Sequence, residues 1–189
     1  MLRRILVSGL TAGVVAGISV SIIQKARVLP LIYAAEVYET VSKGGVSAEA
    51  GLLRVAGTVS ANVLVGVGFG LLLTAAFAIY GQNMNTRRGL CWGLASFAVF
   101  FLAPSLSLQP TVPGMAAGEI GPRQVWWLFT AMATMAGLGA IVFSARVWLR
   151  AIGALLIVVP HIIAPPSPHG VDVVPPELVA KFGASSLAT

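Results

Sequence analysis

Long uncharged apolar runs alternate with short polar breaks along most of the chain. The first, Ile5–Ile23, has the length that a helix needs to cross about 30 Å of hydrocarbon. Further runs follow at Val55–Tyr80, Gly89–Leu108 and Val125–Ala145, and a shorter one, Val147–Ala164, closes the series. The pattern predicts an all-α, polytopic transmembrane helical bundle with about five membrane spans, at 5–23, 55–80, 89–108, 125–145 and 147–164. These form a transmembrane helical domain over 1–164, followed by a Pro-rich polar tail over 165–189. Only Ala151–Ala164 of the last span is free of charge, so Arg150 is expected to snorkel to the interface.

Leu31–Lys43 has a different pattern. Leu31, Ala34, Ala35 and Tyr38 share one helical face, while Glu36, Glu39 and Lys43 share another. This predicts an amphipathic interfacial helix over 31–43, opened by Pro30 and ended by Gly44-Gly45. It lies on the bilayer or continues the first span. Glu36 and Glu39, three apart, can share a hard cation or form a solvated, salt-bridged face, and Lys43 is spaced for an i,i+4 pair with Glu39.

Within the spans the informative residues are small or polar. Gly9, Gly13 and Gly17 recur every four residues, and Gly66 and Gly70 repeat the spacing, which lets a second helix backbone approach closely. Gly66-Val67-Gly68-Phe69-Gly70 has the look of a phosphate loop but sits inside an apolar run, with no strand-to-helix junction. Asn62 needs a partner in hydrocarbon and is expected to bond a neighbouring helix or line a wet cavity. Pro104 is expected to kink or end its span. Trp126 and Trp127 fit an aromatic belt at the membrane–water boundary.

Composition agrees. Hydrophobic residues are 57% and charged residues 10% of the 189 residues, and the mean hydropathy is +0.91. A soluble domain carries about 25% charged residues. The net charge of +6 would suggest nucleic acid on a soluble domain. Here the cations stand singly or in pairs between apolar runs, which is a topology signal and excludes nucleic acid as a partner. The tight pairs Arg3-Arg4, Arg87-Arg88 and Arg146/Arg150 lie in very short segments, which favours a cytoplasmic N-terminus. Met1-Leu2-Arg3-Arg4 before an apolar run has a signal-peptide outline, but the run is too long and lacks a cleavage site, so it is expected to stay as the first span. The single cysteine, Cys91, reads as a small core residue.

Chemistry gathers late in the chain. Val158–Leu178 holds both histidines, His161 and His169, with Asp172 and Glu177 and several prolines. Candidate metal ligands are therefore His161, His169, Asp172 and Glu177, joined by Glu36 and Glu39. Against this, His161 also suits an interfacial position bonded to backbone, and His169 a solvated loop. No recognisable catalytic motif accompanies them, so no enzymatic activity and no firmly bound cofactor are expected.

Several stretches taken in order resemble the larger of the two components of a proposed bacterial cobalt transporter, the CbtA-like family of membrane proteins. They are Met1-Leu2-Arg3-Arg4, Pro30-Leu31-Ile32-Tyr33-Ala34-Ala35-Glu36-Val37-Tyr38-Glu39, Asn62–Phe69, Gly89–Ala95, Ala103-Pro104-Ser105-Leu106, Arg123-Gln124-Val125-Trp126-Trp127, Pro160–Pro165 and Pro176-Glu177-Leu178 with Phe182 and Ser186-Leu187. The resemblance implies a multi-pass component of a divalent metal importer in the bacterial inner membrane. It also implies Co²⁺ as the transported ion, a link to cobalamin supply, and a small single-span transporter partner that carries its own histidines. Compared with that pattern, the loop after Glu39 is short and lacks histidine, and the chain is expected to be C-terminally short. The alternative is a non-conducting accessory or scaffolding membrane protein, favoured by the lack of an ionisable residue at mid-span.

Overall fold

The computed structural model describes residues 2–43, 51–81, 84–108, 110–115, 119–163, 165 and 174–188. Among them there are seven helices and no strand. They are α1 (Leu2–Arg27), α2 (Leu29–Lys43), α3 (Leu52–Tyr80), α4 (Thr86–Ser107), α5 (Ile120–Phe143), α6 (Val147–Ile162) and α7 (Pro176–Leu187). Four of them, α1, α3, α4 and α5, are long and apolar enough to cross a membrane, and α6 is a shorter apolar helix. The fold is the expected helical membrane bundle. Large apolar side chains are exposed on every spanning helix, and α3 has no buried residue at all. Such surfaces suit a hydrocarbon solvent and would aggregate in water.

The chain divides into two compact units. The first comprises Met1–Gly89, Val112–Gly114 and Val173–Thr189, and the second Leu90–Thr111 and Met115–Asp172.

In the first unit α1 and α3 run antiparallel in close contact, for the reason the glycine spacing suggests. A Cβ at Gly13 would lie 2.5 Å from both the Gly66 oxygen and the Val67 Cα. One at Gly17 would lie 2.5 Å from the Val63 Cα. Gly70 faces the Gly9 carbonyl in the same way. Only hydrogen at these positions lets the two backbones meet, which replaces side-chain interdigitation with direct van der Waals contact. α1 passes into α2 with a break at Val28 alone, where Leu31 N–H and Ile32 N–H both bond the Val28 carbonyl at 3.0 and 3.1 Å. Pro30 fits the first turn of α2, where an N–H would have no helical partner.

At its far end α3 stops at Gly81, whose φ of 67° is the left-handed cap that glycine adopts without strain. α4 starts at Thr86, three residues before the expected span, because Asn85 caps it: its Oδ1 accepts the Arg88 N–H at 2.9 Å. α7 lies in the segment expected as a polar tail. Pro176 opens it, Glu177 sits in its first turn, and Phe182 is buried. It packs along α2 in the same unit.

In the second unit α5 and α6 form the central pair, joined by Ser144–Arg146. They too cross at glycines: a Cβ on Gly137 would lie 2.5 Å from the Gly153 oxygen, and one on Gly153 2.6 Å from the Gly137 oxygen. Arg150 closes the turn, its Nε donating to the Ser144 carbonyl at 2.9 Å. It thus offsets the negative end of α5. The α4 residues Ala98–Leu102 form a π-helical turn immediately before Pro104. A proline ring clashes with the carbonyl four residues back, and a widened turn relieves that clash. α4 therefore continues to Ser107 past the proline. α6 likewise runs two residues beyond the buried Pro160.

Candidate functional site

The residues expected to carry chemistry fall into three places. The first is the polar cluster on α1 and α3. Asn62 Nδ2 donates to Gln24 Oε1 at 2.7 Å and Ser21 Oγ at 3.0 Å, and Ser21 Oγ donates to the Gly17 carbonyl at 2.8 Å. Asn62 thus bonds a neighbouring helix. Ser21 and Gln24, one turn apart on α1, are the partners that no local sequence pattern marks. The cluster is neutral, so its polar atoms satisfy one another without a charge in the membrane.

The second place is the α2 surface. The expected Glu39–Lys43 pair involves a Lys43 side chain that lies outside the described residues. Glu36 pairs with Arg54 at the start of α3: Arg54 Nη1 donates to Glu36 Oε1 at 2.5 Å. The Arg54 guanidinium also stands 5.9 Å from the centre of the Tyr33 ring. Glu36 is therefore engaged as one half of an ion pair. Glu39 lies one turn further along α2 and has interactions of its own. Glu177 is on α7, on a groove of about 430 Å³ lined by Ala34, Val37 and Tyr38 of α2 and by Pro175, Leu178 and Lys181. The fold thus brings the helix of Glu177 beside the helix of Glu36 and Glu39. Among the described residues, however, no three His, Cys, Asp or Glu side chains gather closely enough to hold a metal. His169 and Asp172 lie outside the described residues.

The third place is in the second unit, where the C-terminal ends of α4 and α6 meet the N-terminal end of α5. His161, in the last turn of α6, makes a 2.9 Å hydrogen bond between its Nδ1 and Ser107 Oγ at the end of α4. Trp126 stands edge-on to the imidazole, with ring centroids 6.5 Å apart and planes at 71°. Trp127 stacks with Phe100 of the π-helical turn at 6.2 Å. The aromatic-belt reading fails for Trp126. It is 6% exposed, and its Nε1 is buried without a hydrogen-bond partner among the described residues. The helical register decides this: Trp126, Thr130, Thr134 and Gly137 form one face of α5, the buried one.

Along that face Thr130 Oγ1 donates to the Trp126 carbonyl at 3.0 Å. Thr134 Oγ1, one turn deeper, is buried and has no partner among the described residues. Unpaired buried polar atoms are uncommon, and each costs about 1–3 kcal/mol. Sequence patterns point to His161 but not to Ser107 or the inward Trp126. The signals that bear on these two are Pro104, which sets the register of the last turn of α4, and the four-residue spacing of Trp126, Thr130 and Thr134. Cys91, expected in the core, is exposed.

Comparison with known proteins matches the chain over residues 2–189 to the family described as "Probable cobalt transporter subunit (CbtA)". The chain belongs to this family. The CbtA match covers both compact units, including α7, so neither is an addition to the family's fold. No match was found among curated proteins or among solved structures. CbtA membership with four long apolar helices makes this a membrane protein of cobalt transport.

Proposed function

We propose that this CbtA chain is the multi-pass component of a cobalt importer in the bacterial inner membrane. In this reading it acts with a small single-span, histidine-bearing partner and feeds cobalamin supply. Its N-terminus is cytoplasmic, and it moves an ion rather than catalysing a reaction. The observation that carries the reading is the family match along the whole chain.

Physical chemistry supports it at the level of ligand type. Co²⁺ is a borderline cation that accepts imidazole and carboxylate. His161, His169, Asp172, Glu177, Glu36 and Glu39 are the groups that meet it, as transient ligands completed by the partner. A transported ion must leave again, so a sparse ligand set suits passage better than a closed four-ligand cage. The second reading is a non-conducting accessory protein. It draws on the neutral character of the Asn62 cluster and on the absence of a three-ligand group among the described residues.

The test is radioactive cobalt uptake in cells that lack their own importer and express the chain with and without the small partner. Uptake that needs both proteins, and that falls in His161→Ala, is the expected result. Unchanged uptake when this chain is omitted would establish the accessory role. Unchanged uptake in the His161→Ala and His169→Ala variants would remove both histidines from the path.

A further inference from the structure

The hydrogen bond at the end of α4 can run in either direction, and the direction decides which nitrogen of His161 keeps its lone pair. A neutral imidazole has one N–H and one lone pair, and only the lone-pair nitrogen can take a metal. We propose that Ser107 is a positioning residue for His161: its Oγ accepts the Nδ1–H, so that Nε2 is the nitrogen presented to a borderline divalent cation. The proposal rests on the importer reading and adds which atom binds and what holds it.

Three observations carry it. Ser107 Oγ is 2.9 Å from Nδ1, and among the described residues His161 has no other hydrogen-bond partner, which leaves Nε2 open. The end of α4 is short of donors and rich in acceptors. A helix C-terminus has carbonyls without helical partners. An imidazole N–H suits such surroundings, whereas a second acceptor does not. Finally, the Trp126 and His161 rings pack in a T-shaped arrangement with centroids 6.5 Å apart, which holds the imidazole in place. Among the described residues the buried Trp126 Nε1–H has no acceptor, so the indole does not compete for the imidazole nitrogens. With Nδ1–H engaged, Nε2 has the lone pair that a cation takes. The arrangement is the usual outer-shell device at histidine metal ligands, where loss of the orienting partner costs about 10–100-fold in affinity.

The experiment uses the full chain in detergent micelles, with ¹⁵N-labelled histidine. The chain has two histidines, so His169→Gln leaves His161 as the only signal. Nitrogen–proton correlation spectra under neutral-imidazole conditions are expected to give the Nδ1–H tautomer, and added Zn²⁺ is expected to shift Nε2. In Ser107→Ala the Nδ1–H preference falls, and the KM for cobalt uptake with the partner rises at least about tenfold while the maximal rate changes little. Ser107→Thr restores both. An Nε2–H tautomer in the chain with native Ser107 overturns the proposal even if Ser107→Ala fails to fold. So does a Ser107→Ala chain with unchanged tautomer and KM. Absence of uptake by the native pair sinks the importer reading alone, since the spectra with Zn²⁺ still decide the nitrogen.

Discussion

The two units solve the same packing problem and differ in what they leave unsatisfied. Each is built on a pair of helices crossing where glycine faces glycine: Gly13 with Gly66 in the first, Gly137 with Gly153 in the second. In the first, the amide nitrogen of the polar residue at the crossing is engaged, with Asn62 held by Ser21 and Gln24. In the second, the buried face of α5 carries two polar atoms with no partner among the described residues, Trp126 Nε1 and Thr134 Oγ1. A structural pair needs only the first arrangement. An unsatisfied donor beside a histidine makes sense where something else is to be bound. The contrast therefore fits packing at the α1–α3 crossing, and it motivates the proposed ligand contact at the ends of α4, α5 and α6.

The comparison breaks most sharply at the glycines. Gly13→Val and Gly137→Val each place a Cβ about 2.5 Å from opposing backbone, so the helices must separate. Each is expected to cost about 3 kcal/mol or more. All four tryptophans, Trp92, Trp126, Trp127 and Trp148, belong to the second unit. Gly137→Val should thus lower the thermal midpoint read by tryptophan fluorescence, and Gly13→Val the helical content read by far-ultraviolet circular dichroism. Near-native midpoints in both variants would mean that the glycine crossings do not hold the pairs together.

Asn62→Leu comes next. It removes two hydrogen bonds between α1 and α3 and is expected to cost about 1 kcal/mol, the scale of interhelical bonds in membranes. Stability equal to the native chain in micelle denaturation would show that the cluster contributes no net energy. Thr134→Val, nearly isosteric, should go the other way. It removes an unsatisfied hydroxyl and is expected to be neutral or to stabilise by up to about 1 kcal/mol. A clear loss would mean that the hydroxyl has a partner, which would erase the contrast between the units. The smallest effect is expected for Arg54→Gln. Its ion pair with Glu36 is partly exposed, with side-chain exposures of 31% and 20%, and such pairs contribute about 0.2–1 kcal/mol. The difference from the native chain should shrink in high salt.

The spans are legible in the sequence because the bilayer allows few solutions. An uncharged apolar run with all backbone groups to satisfy must be a helix, and small residues repeating at four mark where a second helix can touch. The sequence therefore determined the helical membrane bundle, the contact faces of α1 and α3, and the need of Asn62 for a partner. Helix ends are less legible, because side chains such as Asn85 and Arg150 extend or close a helix beyond its apolar core. α7 falls where composition indicates a tail, although Pro176, Glu177 and the Leu178–Phe182 spacing are the signals of a helix start.

Only the tertiary structure decided the partners. Glu36 pairs with Arg54 of another helix, 18 residues away, which no local spacing marks. Trp126 is buried against His161 while its neighbour Trp127 is half-buried against Phe100, since consecutive residues on a helix point about 100° apart and packing chooses what each one meets. Ser107 and His161 are 54 residues apart, and nothing local in either segment announces the other. Periodicity reports what each helix must bury, because that depends on one segment and its solvent. Which side chains meet depends on how helix ends are brought together, and that is a property of the packed chain alone.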